Sequence, residues 1–94
     1  MSANAARQIR KAAKWWHTNR PAVPDLLGRE VERGFDLIST DPYAGAPAHD
    51  PRVEGLRRLH LRRVHYFLYY RTVSPEIVEV VAFWHTSRGT APEL

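Results

Sequence analysis

The sequence predicts an α+β chain, an N-terminal antiparallel helical hairpin packed on a three-stranded antiparallel β-sheet. Three observations carry this. Apolar residues recur at helical spacing over residues 4–40. A stretch rich in proline and small residues follows, over 41–55. β-Branched and aromatic residues then fill 56–85 as a meander. A length of 94 residues fits one domain, here 1–94, and no internal repeat divides it.

The first helix is expected over residues 4–19. Ala5, Ile9, Ala12, Ala13 and Trp16 recur three and four apart, and Arg7, Arg10, Lys11 and Lys14 take the other face. Ser2 or Asn4 can cap its start by accepting a backbone N–H bond. Pro21 ends it, because the residue before proline is pushed out of the helical region. Of the adjacent tryptophans only one can face the core squarely, which assigns Trp16 to the core and Trp15 to the rim as a candidate interface residue.

A second helix is expected from Pro24 to Thr40, since proline suits a first helical position and Asp25 suits the dipole there. Leu27, Val31, Phe35 and Ile38 form its apolar stripe, with Glu30, Glu32, Arg33 and Asp36 falling away from it. The short link makes the pair antiparallel. Asp41-Pro42 stops the helix, and the prolines and Gly45 that follow read as a loop.

Leu56–Leu61, Val64–Val73 and Ile77–His85 are the three strands, separated by Arg62-Arg63 and by Ser74-Pro75-Glu76. Period-two alternation puts Tyr66, Leu68 and Tyr70 on one face of the middle strand. In the last strand Glu79 marks a wet face shared with Val81, Phe83 and His85. Val78, Val80, Ala82 and Trp84 are then expected to point at the helices.

Charge is distributed unevenly. Residues 1–24 carry five bases and no acid, residues 25–56 three bases and seven acids, and residues 57–94 six arginines and three acids. Basic ends around an acidic middle point to a polyanionic or acidic partner, although solvated faces give the same pattern. The absence of cysteine excludes a disulfide framework, a thiol nucleophile and a cysteine zinc site. The five histidines lack metal-ligand spacing, so neither a metal nor a cofactor is expected. There is no apolar run of membrane-spanning length and no apolar signal segment, so a cytoplasmic location is expected.

The densest chemical signal is Arg57, Arg58, His60, Arg62, Arg63 and His65. Guanidinium forks match phosphate or carboxylate oxygens, and nearby aromatics can stack on bases. The alternative is an edge strand kept soluble by charge. His85 with Arg88 just past a strand end is a second candidate, suited to metal-free acid–base chemistry on a phosphodiester.

Several of these segments together resemble the ParE-type toxins of the RelE/ParE superfamily of type II toxin–antitoxin modules. They are Trp15-Trp16 followed by Asn19-Arg20-Pro21, then Asp41-Pro42 leading to Gly45. Next come Gly55-Leu56-Arg57-Arg58-Leu59 and Tyr66-Phe67-Leu68-Tyr69-Tyr70-Arg71. Val80-Val81-Ala82-Phe83-Trp84-His85 with Arg88-Gly89 and Pro92 completes the series. The resemblance implies a helical hairpin on an antiparallel sheet, and a cognate acidic antitoxin of the ribbon-helix-helix type. It also implies a role in plasmid stabilisation. ParE-like members poison DNA gyrase without catalysis, whereas RelE-like members cut mRNA on the ribosome.

The residues lean to the gyrase branch. By ungapped placement, ribonuclease members carry lysines where this chain has Arg58 and His60. They carry an arginine three residues before a strand tyrosine, and if that tyrosine is Tyr70 the position is Phe67. An apolar ring cannot stabilise developing phosphorane charge. Arg57, Arg58, Arg62, Arg63, Trp15 and Arg88 are then the expected contacts to target or antitoxin. Under the ribonuclease alternative, Arg58, His60, His85 and Arg88 would be catalytic. A third reading is an inactive protein that only binds antitoxin. Family members place a strand before the first helix, and this sequence begins almost inside that helix, which predicts an open sheet edge able to accept a strand from antitoxin or from a second copy.

Overall fold

The computed structural model describes residues 1–94. Helix α1 spans Ala3–Asn19 and α2 spans Leu26–Thr40. Strands β1 (Ala46–Pro47), β2 (Arg57–Leu61), β3 (Tyr66–Ser74) and β4 (Ile77–His85) form one antiparallel sheet in the order β1-β2-β3-β4.

Ser2 caps α1, its Oγ accepting the Ala5 N–H at 3.0 Å. Asn4 lies inside the helix. Helix α2 starts at Leu26, because Pro24 sits in the preceding turn, and Asp25 occupies the cap position without a side-chain bond. The sheet has four strands rather than three. The fourth is a two-residue piece inside the expected loop, with Ala46 opposite Arg58 and Pro47 opposite Arg57. A proline in so short an edge strand hides it from a pattern search.

The turn between β2 and β3 covers 62–65, so Val64 and His65 belong to it rather than to the strand. His65 takes φ 61°, the left-handed conformation that lets four residues reverse the chain. Val64 is 1% exposed and packs into the core from the turn.

The main core lies between the helices and one sheet face. Ala5, Ala12 and Trp16 of α1 and Leu27, Val31 and Ile38 of α2 meet Leu61, Leu68, Tyr70, Val80 and Phe83. Trp16 donates its Nε1–H to the Val23 carbonyl at 2.9 Å, while Trp15 remains 48% exposed. Glu30 is buried rather than solvated. It sits between α2 and the β2–β3 turn, with Arg33 at 3.1 Å and Arg63 at 3.8 Å.

The expected facing of β4 fails beyond Val80. Tyr69 pairs with Ala82 and Tyr70 with Val80, so Val81 is an extra residue. This bulge reverses the alternation. Val78 and Val80 face the helices, but past the bulge Phe83 joins the main core, and Ala82 and Trp84 turn to the opposite face. There they form a second cluster with Leu56, Tyr69 and Val81, against which Phe67 and Leu94 pack.

The outer edge of β4 is occupied over Val80–Phe83, which narrows the expected open edge. The Ser2 backbone N–H donates to the Val80 carbonyl at 2.9 Å. Asn4 Nδ2 donates to the Val81 carbonyl at 3.4 Å, and Gln8 Oε1 accepts the Phe83 N–H at 2.7 Å. The Ser2 backbone and two side chains of α1 thus meet, over this stretch, hydrogen-bonding needs that a preceding strand would meet.

Candidate functional site

Strand alternation disperses the arginine cluster. Arg57 lies on the helix-side register of β2. Its Nη1 donates to the Gly45 carbonyl at 2.6 Å, and its guanidinium lies 4.8 Å from the Tyr43 ring centre. Beside it the Tyr70 hydroxyl accepts the Gly45 N–H and donates to the Pro42 carbonyl, both at 2.8 Å. Burial pushes the Tyr70 phenol up, with the Gly45 contact opposing. A Cβ on Gly45 would lie 2.7 Å from both the Arg58 carbonyl oxygen and the Tyr70 hydroxyl, so glycine is required by close approach. Arg57 therefore clamps the 42–46 loop and holds the exposed Tyr43 in place.

Arg58 points to the far face of the sheet. Its guanidinium stacks 4.1 Å from the Phe67 ring centre, and Nη1 lies 3.5 Å from the Tyr69 hydroxyl. His60 shares that face, 5.0 Å from Phe67, its cross-strand partner. Loss of water contact, then Arg62, His65 and Arg58, hold the His60 pKa below the ordinary histidine value. Arg62 and Arg63 sit in the exposed turn, where Arg63 leans toward Glu30.

His85 and Arg88 sit at the end of β4. His85 meets Tyr66 edge-on at 5.0 Å, and Tyr66 stacks on Phe83 at 4.5 Å, which places His85 at the helix-side margin. Its Nδ1 accepts the Ser87 N–H at 3.1 Å and lies 2.7 Å from the Ser87 hydroxyl. Burial, then His65 and Arg88, lower its pKa. The Arg88 guanidinium stacks on the Trp84 ring at 4.0 Å. Trp15 closes a groove with Arg7, Lys11, Tyr66, His85 and Arg88, so the basic face of α1 is continuous with the end of β4.

Two arrangements emerge. One is the basic groove of α1 and the β4 end. The other is a far-face cleft of about 470 Å³, floored by Phe67, Tyr69 and Trp84 and bordered by Arg58 and by His85, which therefore reaches both arrangements. Residues 47–50 wall one side and Gly89–Pro92 the other. Asp50 is neutralised by Arg52 at 2.6 Å, and the side-chain bond to Arg52 is the largest cause that pulls its pKa from 3.8 to about 2. Neither arrangement gathers His60 with His85. Sequence reasoning missed Trp84 and Tyr69 as parts of this cleft, because the bulge that turns Trp84 outward has no residue signature. It also missed Gln8, whose amide joins β4 to the Glu93 carbonyl. No group of histidine and carboxylate side chains is arranged to hold a metal ion, and no helix is long and apolar enough to cross a membrane.

The chain finds no match among curated proteins. Residues 1–89 match the ParE toxin of the parDE type II toxin–antitoxin system, and the two-helix, antiparallel-sheet order agrees with the fold that the sequence resemblance implied. With nearly the whole length matched, the chain belongs to the ParE toxin family of type II toxin–antitoxin systems.

Proposed function

We propose that this toxin acts by binding and poisoning DNA gyrase rather than by cutting RNA, and that a cognate acidic antitoxin of the ribbon-helix-helix type neutralises it. The observation that carries the reading is that the two candidate acid–base histidines do not line one cleft, although Arg58 and His85 border the same one. Arg58 and His60 lie on the far face, whereas His85 turns to Tyr66 at the helix-side margin and is tied to Ser87. Arg88 is stacked on Trp84. An acid and a base that act on one phosphodiester must both reach it. Moreover, Phe67 places an apolar ring beneath Arg58.

The exposed cations are the contacts in this reading. Arg62 and Arg63 project from the turn, and Arg88 with Trp15 extends the α1 face. Arg57 acts indirectly, by holding Tyr43 outward on the clamped loop. Purified protein incubated with gyrase and supercoiled plasmid is expected to accumulate linear cleaved DNA. Cuts in the vacant A site of mRNA-programmed ribosomes, with no gyrase cleavage, would establish the ribonuclease instead. One feature favours that second reading: His60, its pKa held below the ordinary histidine value, shares the Phe67 ring with Arg58, which sets a candidate base next to a phosphate-binding group. Silence in both assays, with antitoxin still bound, would leave the inactive binding protein.

A further inference from the structure

The far-face cleft contains a feature that the fold does not explain. Trp84 is 7% exposed and lines the cleft, yet its Nε1–H is buried without an acceptor. Buried donors are nearly always paired, because an unpaired one loses its water without replacement. It is the one buried side-chain donor or acceptor in the chain left in this state.

The neighbours indicate what would pair it. Arg58 lies flat on Phe67 at 4.1 Å, with the Tyr69 hydroxyl 3.5 Å from its Nη1. A guanidinium stacked on a ring keeps its N–H donors directed outward in its own plane, ready for a carboxylate fork. The acid of the cleft, Asp50, is already taken by Arg52. The cleft therefore offers donors and positive charge with no free anion of its own. Of its aromatic faces, Phe67 is covered by Arg58, while Arg88 stacks on Trp84 at 4.0 Å from the side of the α1 groove. Nucleobases bind such surfaces by stacking on open rings. Here Arg58 occupies the Phe67 ring, and its donor edge and the Trp84 Nε1–H remain.

We infer that the far-face cleft is a receptor for an acidic peptide segment, with a glutamate or aspartate carboxylate held between Arg58 and the Tyr69 hydroxyl and a second oxygen of the segment accepting the Trp84 Nε1–H. The inference rests on the reading that an acidic protein partner binds this toxin, and assigns that partner a surface. Because the Trp84 Nε1–H is out of contact with solvent, the segment reaches it only if the outer wall shifts. Residues Gly89–Pro92 are held through the Pro92 carbonyl, bonded by Arg52 at 2.9 Å, and the Glu93 carbonyl, bonded by Asn4 at 2.7 Å and Gln8 at 3.1 Å.

The test uses the full chain labelled with nitrogen-15 and three probes: a capped peptide of alternating Glu and Ala, its Gln–Ala counterpart, and a short oligouridylate. The Glu peptide is expected to bind saturably and to move the Trp84 indole N–H signal downfield. The Gln peptide is expected to bind about tenfold more weakly, the loss of one charge-assisted bond. Arg58→Gln and Trp84→Phe should each weaken the Glu peptide by about tenfold. Arg58 is exposed, so its variant reads the site even if the tryptophan variant folds poorly. Binding that leaves the Trp84 signal still and ignores Arg58→Gln would overturn the assignment while sparing the acidic partner. No binding of the Glu peptide would overturn it too, as would an oligouridylate that moves the Trp84 signal more tightly than the peptide. Gyrase cleavage by the same preparation reports on the proposed function separately.

Discussion

The two faces of the sheet share the same long strands and differ in what covers them. Toward the helices, Leu68 and Tyr70 are fully buried under α1 and α2. On the other side Tyr69, Ala82 and Trp84 are buried almost as well, but under Leu56, Leu94 and the stacked arginines. Equal burial thus comes from unequal covers. A face closed by two helices is expected to be the fixed one, and one closed by loop, tail and guanidinium the one that opens. Stability is expected to reside on the first face and recognition on the second.

The largest effect should come from deleting side chains on the helix face. Leu68→Ala removes a side chain with no exposed surface and is expected to cost about 3–4 kcal/mol. Leu56→Ala, on the thinner cover, should cost nearer about 2 kcal/mol because tail and loop can settle into the space. Urea unfolding midpoints of the two variants measure the difference, and equal losses would break the distinction between the faces.

Next in size is the clamp at the rim. Tyr70→Phe leaves the Gly45 N–H and the Pro42 carbonyl without their shared hydroxyl, and should cost about 1–2 kcal/mol by the same measurement. It should also loosen the loop that carries Tyr43, read as faster amide exchange at Gly45.

The paired tryptophans sharpen the contrast further. Trp16→Phe loses a bond to the Val23 carbonyl and should destabilise by about 1 kcal/mol from that loss. Trp84→Phe removes a buried donor that bonds nothing, so relief of its desolvation offsets part of the lost ring area. If Trp84→Phe is the costlier of the two, the Nε1–H has a partner within the fold.

Most of the helix face was legible in the sequence, because its signal is period. Ala5, Ala12 and Trp16 repeat at helical spacing, and Tyr66, Leu68 and Tyr70 alternate without interruption. The far face was not legible beyond Val80. A bulge adds one residue with no side-chain mark, and everything after it reverses, so Phe83 and Trp84 exchanged sides. Nor did spacing reveal that the arginine run would split. Arg57 and Arg58 are adjacent, and adjacency in a strand means opposite faces. The cleft joins residues of β2, β3 and β4 with two loop segments, and such a set has no contiguous pattern to read. Glu30 was misplaced for a different reason: its stripe position looked polar, and only the folded turn brings Arg63 near it.

The smallest expected effect is on pH response, and it joins the two faces at the β4 end. His60 on the far face and His85 on the helix-side margin both have pKa values lowered by loss of water contact and by neighbouring cationic groups. The unfolded chain therefore binds protons more readily at these two positions than the folded one. Stability rises with pH wherever the unfolded state holds more protons. The contribution of both groups is thus full above the ordinary histidine value of 6.5 and declines as pH falls through it toward the lowered values. Histidine ring signals followed by NMR should show both midpoints below 6.5, and the urea midpoint at pH 5.5 should lie below that at pH 7.5. Because protonated His85 would stand beside Arg88 and Tyr66, acid should disturb the β4 end before the α1–α2 core. The Tyr66 ring signals should therefore shift with His85 while Leu68 stays unchanged. A Leu68 shift over the same range would mean that the helix face is not the fixed one.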